Sequence, residues 1–302
     1  MTTGSPAHPT SGAQSPEVWT VLRMMEWSGE YLSGKGIDRG RLDAEHLLAE
    51  ALGTRRLDLY LQFDRPLIAE ELDRYRPMLQ RRARREPLQY ILGRAAFREL
   101  DLEVDPAVLI PRPETEMLVG EVLDWFSGRA QEGGRVMDLG TGSGAIALSL
   151  ATEGSQLEVV ATDASAAALD RARRNAESLE LDQIDFRLGS FFDPLADREM
   201  FDAVVSNPPY VAESEEPELE PEVKAWEPGA ALFSGPDGLM AIRAIVAGVG
   251  RHLSPSGLLA LEVGLGQADR VVGLIEDTQE FTEVRVREDL TGRERMVLAV
   301  RA

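Results

Sequence analysis

No cysteine occurs among the 302 residues. Disulfides, thiolate nucleophiles and sulfur-ligated metals are therefore excluded. Histidine is almost as scarce. His8, His46 and His252 lie far apart along the chain, a poor supply for a histidine-built metal site. Lysine occurs only at Lys35 and Lys224, so nearly every basic side chain is arginine. Lys and Arg together number 32 against 52 Asp and Glu, a formal charge of −20. That balance argues against broad attachment to nucleic-acid backbones, which needs clustered positive charge. No apolar run reaches the roughly 20 residues of a membrane span. The opening "MTTGSPAHPTSGAQSP" has neither the basic nor the apolar region of a signal peptide. A cytoplasmic protein with no membrane and no metal is expected.

What remains is 43% hydrophobic, enough to bury a sizeable core in one large or two modest domains. Residues 1–15, rich in Thr, Ser, Gly, Pro and Ala, read as a disordered tail. Residues 16–92 read as a small helical domain. "VWTVLRMMEWSGEYL" and "RLDAEHLLAEAL" carry apolar residues at three- and four-residue spacing, and the second ends at Gly53. "AEELDRYRPMLQRRARR" is a third helix, with Pro77 expected to kink or break it. Residues 93–110 alternate apolar with polar and predict a hairpin linker. From 111 to 302, strands such as "RVMDL", "LEVVATD", "IDFRL", "FDAVVS" and "GLLALEV" alternate with helices. This is the rhythm of an α/β domain around a mostly parallel sheet. The last two strands, joined by "DLTGRE", predict a hairpin and hence one antiparallel edge strand.

"VMDLGTGSGAIALSLA" places Asp138, Gly140, Gly142 and Gly144 between a strand and a helix, with Thr141 and Ser143 interleaved. Glycine lets the backbone turn tightly and approach a ligand. The GxGxG spacing is more compact than the dinucleotide fingerprint, and an acid stands just ahead of it. That suits a ligand with a charged amino-acid end and no pyrophosphate. Asp163 ends the next strand, where an acid can accept hydrogen bonds from both hydroxyls of a ribose. Loop and acid together fit S-adenosylmethionine. Each has a plainer reading, the loop as a tight turn and Asp163 as a helix cap, although Ser165 can serve as the cap instead.

"SNPPYV" follows the fourth strand of this domain. In open α/β sheets ligands bind beyond the carboxyl ends of the strands, so Asn207 is expected beside the glycine loop. Pro208 restricts Asn207 and Pro209 restricts Pro208, which stiffens the presentation of one amide and nearby carbonyls. The Asn207 oxygen and the Pro208 carbonyl can each accept one N–H from a planar NH2 group, with Tyr210 packed against it. The plainer reading is a turn that merely ends a strand.

At these residues the chain resembles the N5-glutamine methyltransferases that modify peptide-chain release factors. The likeness runs from residue 17 to the end through "REPLQYILG", "VLIPRPETE", "DLGTGSGAIALSLA", "SNPPYV", "EPGAALFSGPDGL" and "DLTGRERMVLA". It implies a seven-stranded Rossmann-like catalytic domain of the S-adenosylmethionine type, with an all-helical N-terminal domain that recognises the substrate. It also implies methyl transfer to the glutamine of a Gly-Gly-Gln motif in class 1 release factors. On this resemblance Asp138, Gly140 to Gly144, Asp163 and Asn207 contact the cofactor. Phe191 stands where many relatives carry tryptophan beside the adenine, and Asn207, Pro208, Pro209 and Tyr210 hold the glutamine amide. "IPRPETE" is then expected to help close the site, with Arg112 as a contact. Read from the residues alone, Pro113 opens a helix and Glu114 and Glu116 favour its first turn.

Neighbouring functions share parts of this pattern. A glutamine methyltransferase acting on a ribosomal protein differs at "IPRPETE". An adenine-N6 DNA methyltransferase shares the Asn-Pro-Pro-Tyr turn, but seven glutamates between residues 213 and 227 form a hostile surface for a DNA backbone. An inactive binding module would not require Asp138, Gly140, Gly142, Asp163 and Asn207 together. The six arginines between residues 74 and 85 read as a solvated helix face near a C-terminus, or alternatively as a contact for an acidic partner.

Overall fold

The computed structural model describes residues 18–129 and 133–302, so the tail expected at 1–15 lies outside the described residues. The chain divides into two compact units, Met1–Leu88 and Gln89–Ala302.

In the first unit, α1 (Val21–Ser33) starts at Thr20, whose hydroxyl accepts the Arg23 N–H at 3.4 Å. Helix α2 (Gly40–Leu52) packs on α1 and stops at Gly53, which takes the left-handed φ of 64° that suits glycine. A short α3 (Arg56–Leu61) precedes α4 (Ala69–Ala83). Contrary to expectation, α4 runs unbroken through Pro77. Its neighbours one turn apart, Tyr75 and Leu79, are both buried, and that packing outweighs the backbone bond the proline cannot make. Of the six arginines between residues 74 and 85, Arg74, Arg76, Arg81 and Arg84 are exposed, in keeping with a solvated helix face, but the set also holds the unit together. Arg82 is buried and donates to Asp43 at 2.7 Å, Arg81 pairs with Glu86 at 2.5 Å, Arg74 donates to the Ala51 carbonyl at 2.8 Å, and Arg85 donates to the Gly36 carbonyl. Helix α5 (Leu88–Leu92) follows at the boundary between the units.

The second unit opens with an antiparallel hairpin, β1 (Arg94–Phe97) and β2 (Leu100–Glu103). Phe97, Leu100 and Leu102 belong to the main core, so the hairpin is part of this unit's packing. The remaining elements mostly alternate between helix and strand. They are α6 (Pro113–Ser127), β3 (Gly134–Leu139), α7 (Ala145–Glu153), β4 (Leu157–Asp163), α8 (Ala166–Ser178), β5 (Asp185–Leu188), β6 (Phe201–Ser206), α9 (Pro221–Trp226), α10 (Met240–Val249), β7 (Leu253–Glu262), α11 (Ala268–Glu276), β8 (Phe281–Glu288) and β9 (Glu294–Arg301).

The strands form one seven-stranded sheet in the order β5-β4-β3-β6-β7-β9-β8. Alternate side chains serve its two faces. Val136, Ala203, Val205 and Ala260 pack with residues of α6 and α7, while Met137, Val204, Leu259 and Leu261 pack with residues of α10 and α11. Strand order reverses at β3 and β6, which run parallel with Leu139 opposite Ser206. The Ser206 hydroxyl donates to the Leu139 carbonyl at 2.7 Å and ties the two strand ends together.

The terminal hairpin departs from expectation. The antiparallel strand is β9, inserted between β7 and β8, and β8 at the edge runs parallel to the rest. "MVLAV" is apolar throughout and suits a position covered on both faces. "FTEVRVRE" alternates and puts its charges at the open edge.

Candidate active site

The turns after β3, β4, β5 and β6 all open on one side of the sheet. A cavity of about 340 Å³ lies there, at the reversal of strand order. Among its lining residues are Gly140, Thr141, Gly142, Ser143, Asp163, Phe191, Asn207 and Pro209. Four turns separated in sequence are thus brought to one wall.

The glycine loop is held from three directions. Gly140 and Thr141 donate their N–H groups to the Thr162 carbonyl at 2.8 and 3.0 Å. The Gly142 N–H donates to Asp163 Oδ2 at 2.9 Å. Asn175 on α8, buried, donates to the Ser143 carbonyl at 2.9 Å and exchanges hydrogen bonds with the backbone of Glu103 on β2. Gly140 and Gly142 have φ of 72° and 57°, and a Cβ built at either meets nothing within 4 Å. Glycine is required there by the backbone conformation, and the space above it is open to a ligand.

Four residues expected at the cofactor or substrate do not line the cavity. Asp138 is fully buried beneath the loop. Its Oδ2 accepts the Thr141 hydroxyl at 2.6 Å and the Ala147 N–H at 3.2 Å, while its Oδ1 has no partner among the described residues. Burial pushes its carboxyl up to about 7, against the pull of those two hydrogen bonds. Gly144 caps α7 and lies against Leu148 and Ala172. Tyr210 turns away from the cavity into a buried polar cluster, where its hydroxyl donates to Glu262 Oε1 at 3.3 Å and accepts from Arg295 at 3.3 Å. Burial pushes the phenol up to about 12. Pro208 is likewise not among the lining residues, whereas its neighbours Asn207 and Pro209 are.

Asp163 does line the cavity, and both its oxygens already serve the fold. Oδ1 accepts the Ser165 N–H at 2.8 Å and Oδ2 accepts the Gly142 N–H. Ser165 itself caps α8 through the Ala168 N–H at 3.2 Å. Burial holds the Asp163 carboxyl above its usual range. Phe191, at φ 45°, adds an apolar face, and its carbonyl accepts the Thr162 hydroxyl at 3.1 Å.

The opposite wall unites two segments far apart in sequence. Val108, Leu109, Pro111 and Thr115 line the cavity together with Pro228, Ala230 and Ala231. Glu227 joins them: it is buried, accepts from Arg112 at 2.6 Å and from the Ile110 N–H at 3.4 Å, and so leaves the acidic surface suggested by its neighbours. Arg112 therefore holds this wall together and is not among the lining residues. Helix α6 begins at Pro113 with Glu114 and Glu116 in its first turn, as the sequence indicates.

Sequence reading assigned no role to Thr115, Glu262, Gln267, Arg295 or Asn175. Asn207 Nδ2 donates to Thr115 Oγ1 at 2.9 Å, and Thr115 Oγ1 donates to Glu262 Oε2 at 2.6 Å. Gln267 Nε2 donates to the Tyr210 carbonyl at 2.8 Å. Thr115 and Arg295 stood inside the quoted stretches "IPRPETE" and "TGRERMVLA". The signal for Glu262 was an acid at the end of an otherwise apolar strand.

Residues 23–93 match the PrmC N-terminal domain family, and residues 116–222 match the methyltransferase small domain family. A release factor glutamine methyltransferase from Geobacter sulfurreducens is 44% identical over 284 residues, 94% of this chain and 98% of its own length. A protein of the same name from Rhodopirellula baltica is 38% identical over 282 residues, 92% of this chain and 95% of its own. In three dimensions the fold is shared with a 16S rRNA N2 methyltransferase of T. thermophilus solved with AdoMet and guanosine. That match has a TM-score of 0.51 and 18% identity, and it covers 69% of this chain and 50% of the other.

Proposed function

Since the chain belongs to the release factor glutamine methyltransferase family, we propose that it methylates the side-chain amide nitrogen of the Gly-Gly-Gln glutamine in class 1 release factors, with S-adenosylmethionine as the methyl donor. The observation that carries this reading is Asn207 on the wall of the same cavity as the glycine loop and Asp163.

The residues fit the donor. The cavity volume falls within the usual range for small-molecule sites, roughly 300–1,000 Å³. A carboxylate offers about four acceptor positions, so Asp163 keeps about two for a pair of ribose hydroxyls after serving Gly142 and Ser165. Ile146, Ala164, Ala168 and Phe191 supply apolar wall for a flat ring. The open side of Gly140 and Gly142 admits close approach of the amino-acid end. When bound, the donor supplies an electrophilic methyl group on a positively charged sulfur.

An amide nitrogen is a weak nucleophile, so the protein's contribution is positioning and electrostatics. The Asn207 Oδ1 atom has no partner among the described residues, and it accepts one N–H of the substrate amide. The second is assigned to the carbonyl of Pro208, which is itself buried but lies between the two lining residues Asn207 and Pro209. Two accepted hydrogen bonds hold the nitrogen in the plane that points its lone pair at the methyl group. Both bonds also polarise the N–H groups and so enrich the nitrogen in electron density.

A methyl-transfer assay with labelled donor tests this. Label is expected on intact release factor and not on the same factor carrying Gln→Ala in Gly-Gly-Gln, nor on adenine-containing DNA. Asn207→Ala is expected to abolish transfer while leaving the donor's dissociation constant within about threefold, because Asn207 acts mainly on the acceptor. Label on DNA, or on a ribosomal protein in place of the factor, would overturn the substrate.

A further inference from the structure

Asn207 reaches the cavity at the end of a chain of hydrogen bonds that begins inside the protein. The sheet register sets Ser206 opposite Leu261, so Glu262, the last residue of β7, stands beside Asn207. Glu262 is fully buried, and Thr115, in the first turn of α6, is buried between it and Asn207. Both Glu262 oxygens accept: Oε2 takes the Thr115 hydroxyl at 2.6 Å, and Oε1 takes the Tyr210 hydroxyl at 3.3 Å, with Arg295 Nη2 at 3.9 Å.

The direction of this chain has a consequence. A threonine hydroxyl carries one hydrogen. Thr115 gives it to Glu262 in a short bond of 2.6 Å; burial pushes the Glu262 carboxyl up, while the Thr115 hydroxyl, Arg295 and the Tyr210 hydroxyl pull it back towards the charged, accepting form. Only lone pairs then remain towards Asn207, and only the NH2 end of an amide can meet them. The Asn207 side chain is thereby turned so that Nδ2 faces Thr115 and Oδ1 is the atom left for the substrate. An amide held the other way would present a donor.

We propose that Glu262 and Thr115 are positioning residues that fix the polarity of Asn207, so that the site admits a substrate group donating N–H and rejects a carboxylate of the same shape. This rests on the glutamine reading and adds to it the basis on which glutamine is told from glutamate. A buried acceptor facing a carboxylate oxygen leaves both unpaired, and mispairing of that kind discriminates strongly.

The test uses the full-length enzyme with Thr115→Val, Thr115→Ser and Glu262→Gln. Valine keeps the shape and loses the hydroxyl; serine keeps the hydroxyl. Thr115→Val is expected to lower kcat on release factor about 100-fold, the cost of a misplaced reacting group, with the KM for the methyl donor unchanged. Thr115→Ser is expected to retain kcat within about threefold of wild type. Inhibition by a release factor carrying Gln→Glu in Gly-Gly-Gln should be weak for wild type and at least about tenfold tighter for Thr115→Val and Glu262→Gln, a gain that a merely loosened fold would not produce. A second arm needs no substrate. The Asn207 side-chain NH2 resonances, assigned by their loss in Asn207→Ala, should exchange slowly with solvent in wild type and at least about tenfold faster in Thr115→Val. Wild-type kcat in Thr115→Val, failure of serine to restore it, unchanged glutamate rejection, or unchanged NH2 exchange would each overturn the proposal. If wild type methylates no release factor, the substrate reading fails, and the NH2 exchange still decides the polarity of Asn207.

Discussion

Asp138 illustrates how one residue serves the site without touching a ligand. Its Oδ2 holds Thr141 and the start of α7, and its Oδ1 is buried with no partner among the described residues. The folded carboxyl titrates near 7, whereas an ordinary aspartate has 3.8. Between those values the folded state keeps a proton that the unfolded state has released. Stability from this group therefore falls as pH rises towards 7 and is level above it. Asp138→Asn can keep both accepted bonds with its oxygen and does not titrate. The difference in urea-unfolding free energy, variant minus wild type, is expected to grow from pH 5.5 to pH 7 by up to about 1.4 kcal/mol per pH unit. A flat difference would show that Asp138 is already ionised in the folded protein. Asp163, also held high by burial, is present in both proteins and largely cancels.

The terminal hairpin shows pattern choosing position at the level of elements. Both of its strands were legible, but their order was not. Local alternation identifies a strand; which of two strands enters the interior depends on how many faces will be covered. In β9, Met296 to Ala299 are buried in succession, while β8 exposes Arg285, Arg287 and Glu288. Leu298→Ala should cost about 2–5 kcal/mol in urea unfolding, as for other buried leucines. Arg285→Ala on the edge strand should stay within about 0.5 kcal/mol. Equal costs would contradict the placement of β9 inside the sheet. Helix α4 carries the same lesson in reverse, since Pro77 marks a break locally and the buried Tyr75 and Leu79 override it.

Over the whole molecule the charge of −20 is the dominant electrostatic quantity. Surface ion pairs such as Arg243 and Arg270 with Asp237 are solvent-exposed and contribute little, and salt weakens them. Repulsion among the excess carboxylates is screened by the same salt, which favours the folded state. The repulsion should win. The apparent midpoint of each thermal transition is expected to rise as NaCl goes from about 0.05 to about 0.5 M at pH 7.5. A fall would mean that specific ion pairs outweigh the net charge. Two compact units make more than one transition the natural outcome, so each is compared separately.

The sequence by itself determined the class of fold, the glycine loop, the acid ending β4 and the Asn-Pro-Pro-Tyr turn, because each depends on local spacing: hydrophobic period, glycine at positive φ, proline beside a strand end. Ser165 as the cap of α8 and Pro113 as the start of α6 were legible for the same reason. Only the tertiary structure decided which atoms face the cavity. Tyr210 turned inward because Glu262 and Arg295, far away in sequence, offer it a buried acceptor and a half-buried donor. Arg112 pairs with Glu227, 115 residues further along the chain. The direction of the Asn207 amide follows from a hydroxyl on α6 and a carboxylate on β7. Hydrogen-bond polarity is a property of neighbours in space, and no local pattern in the chain encodes it.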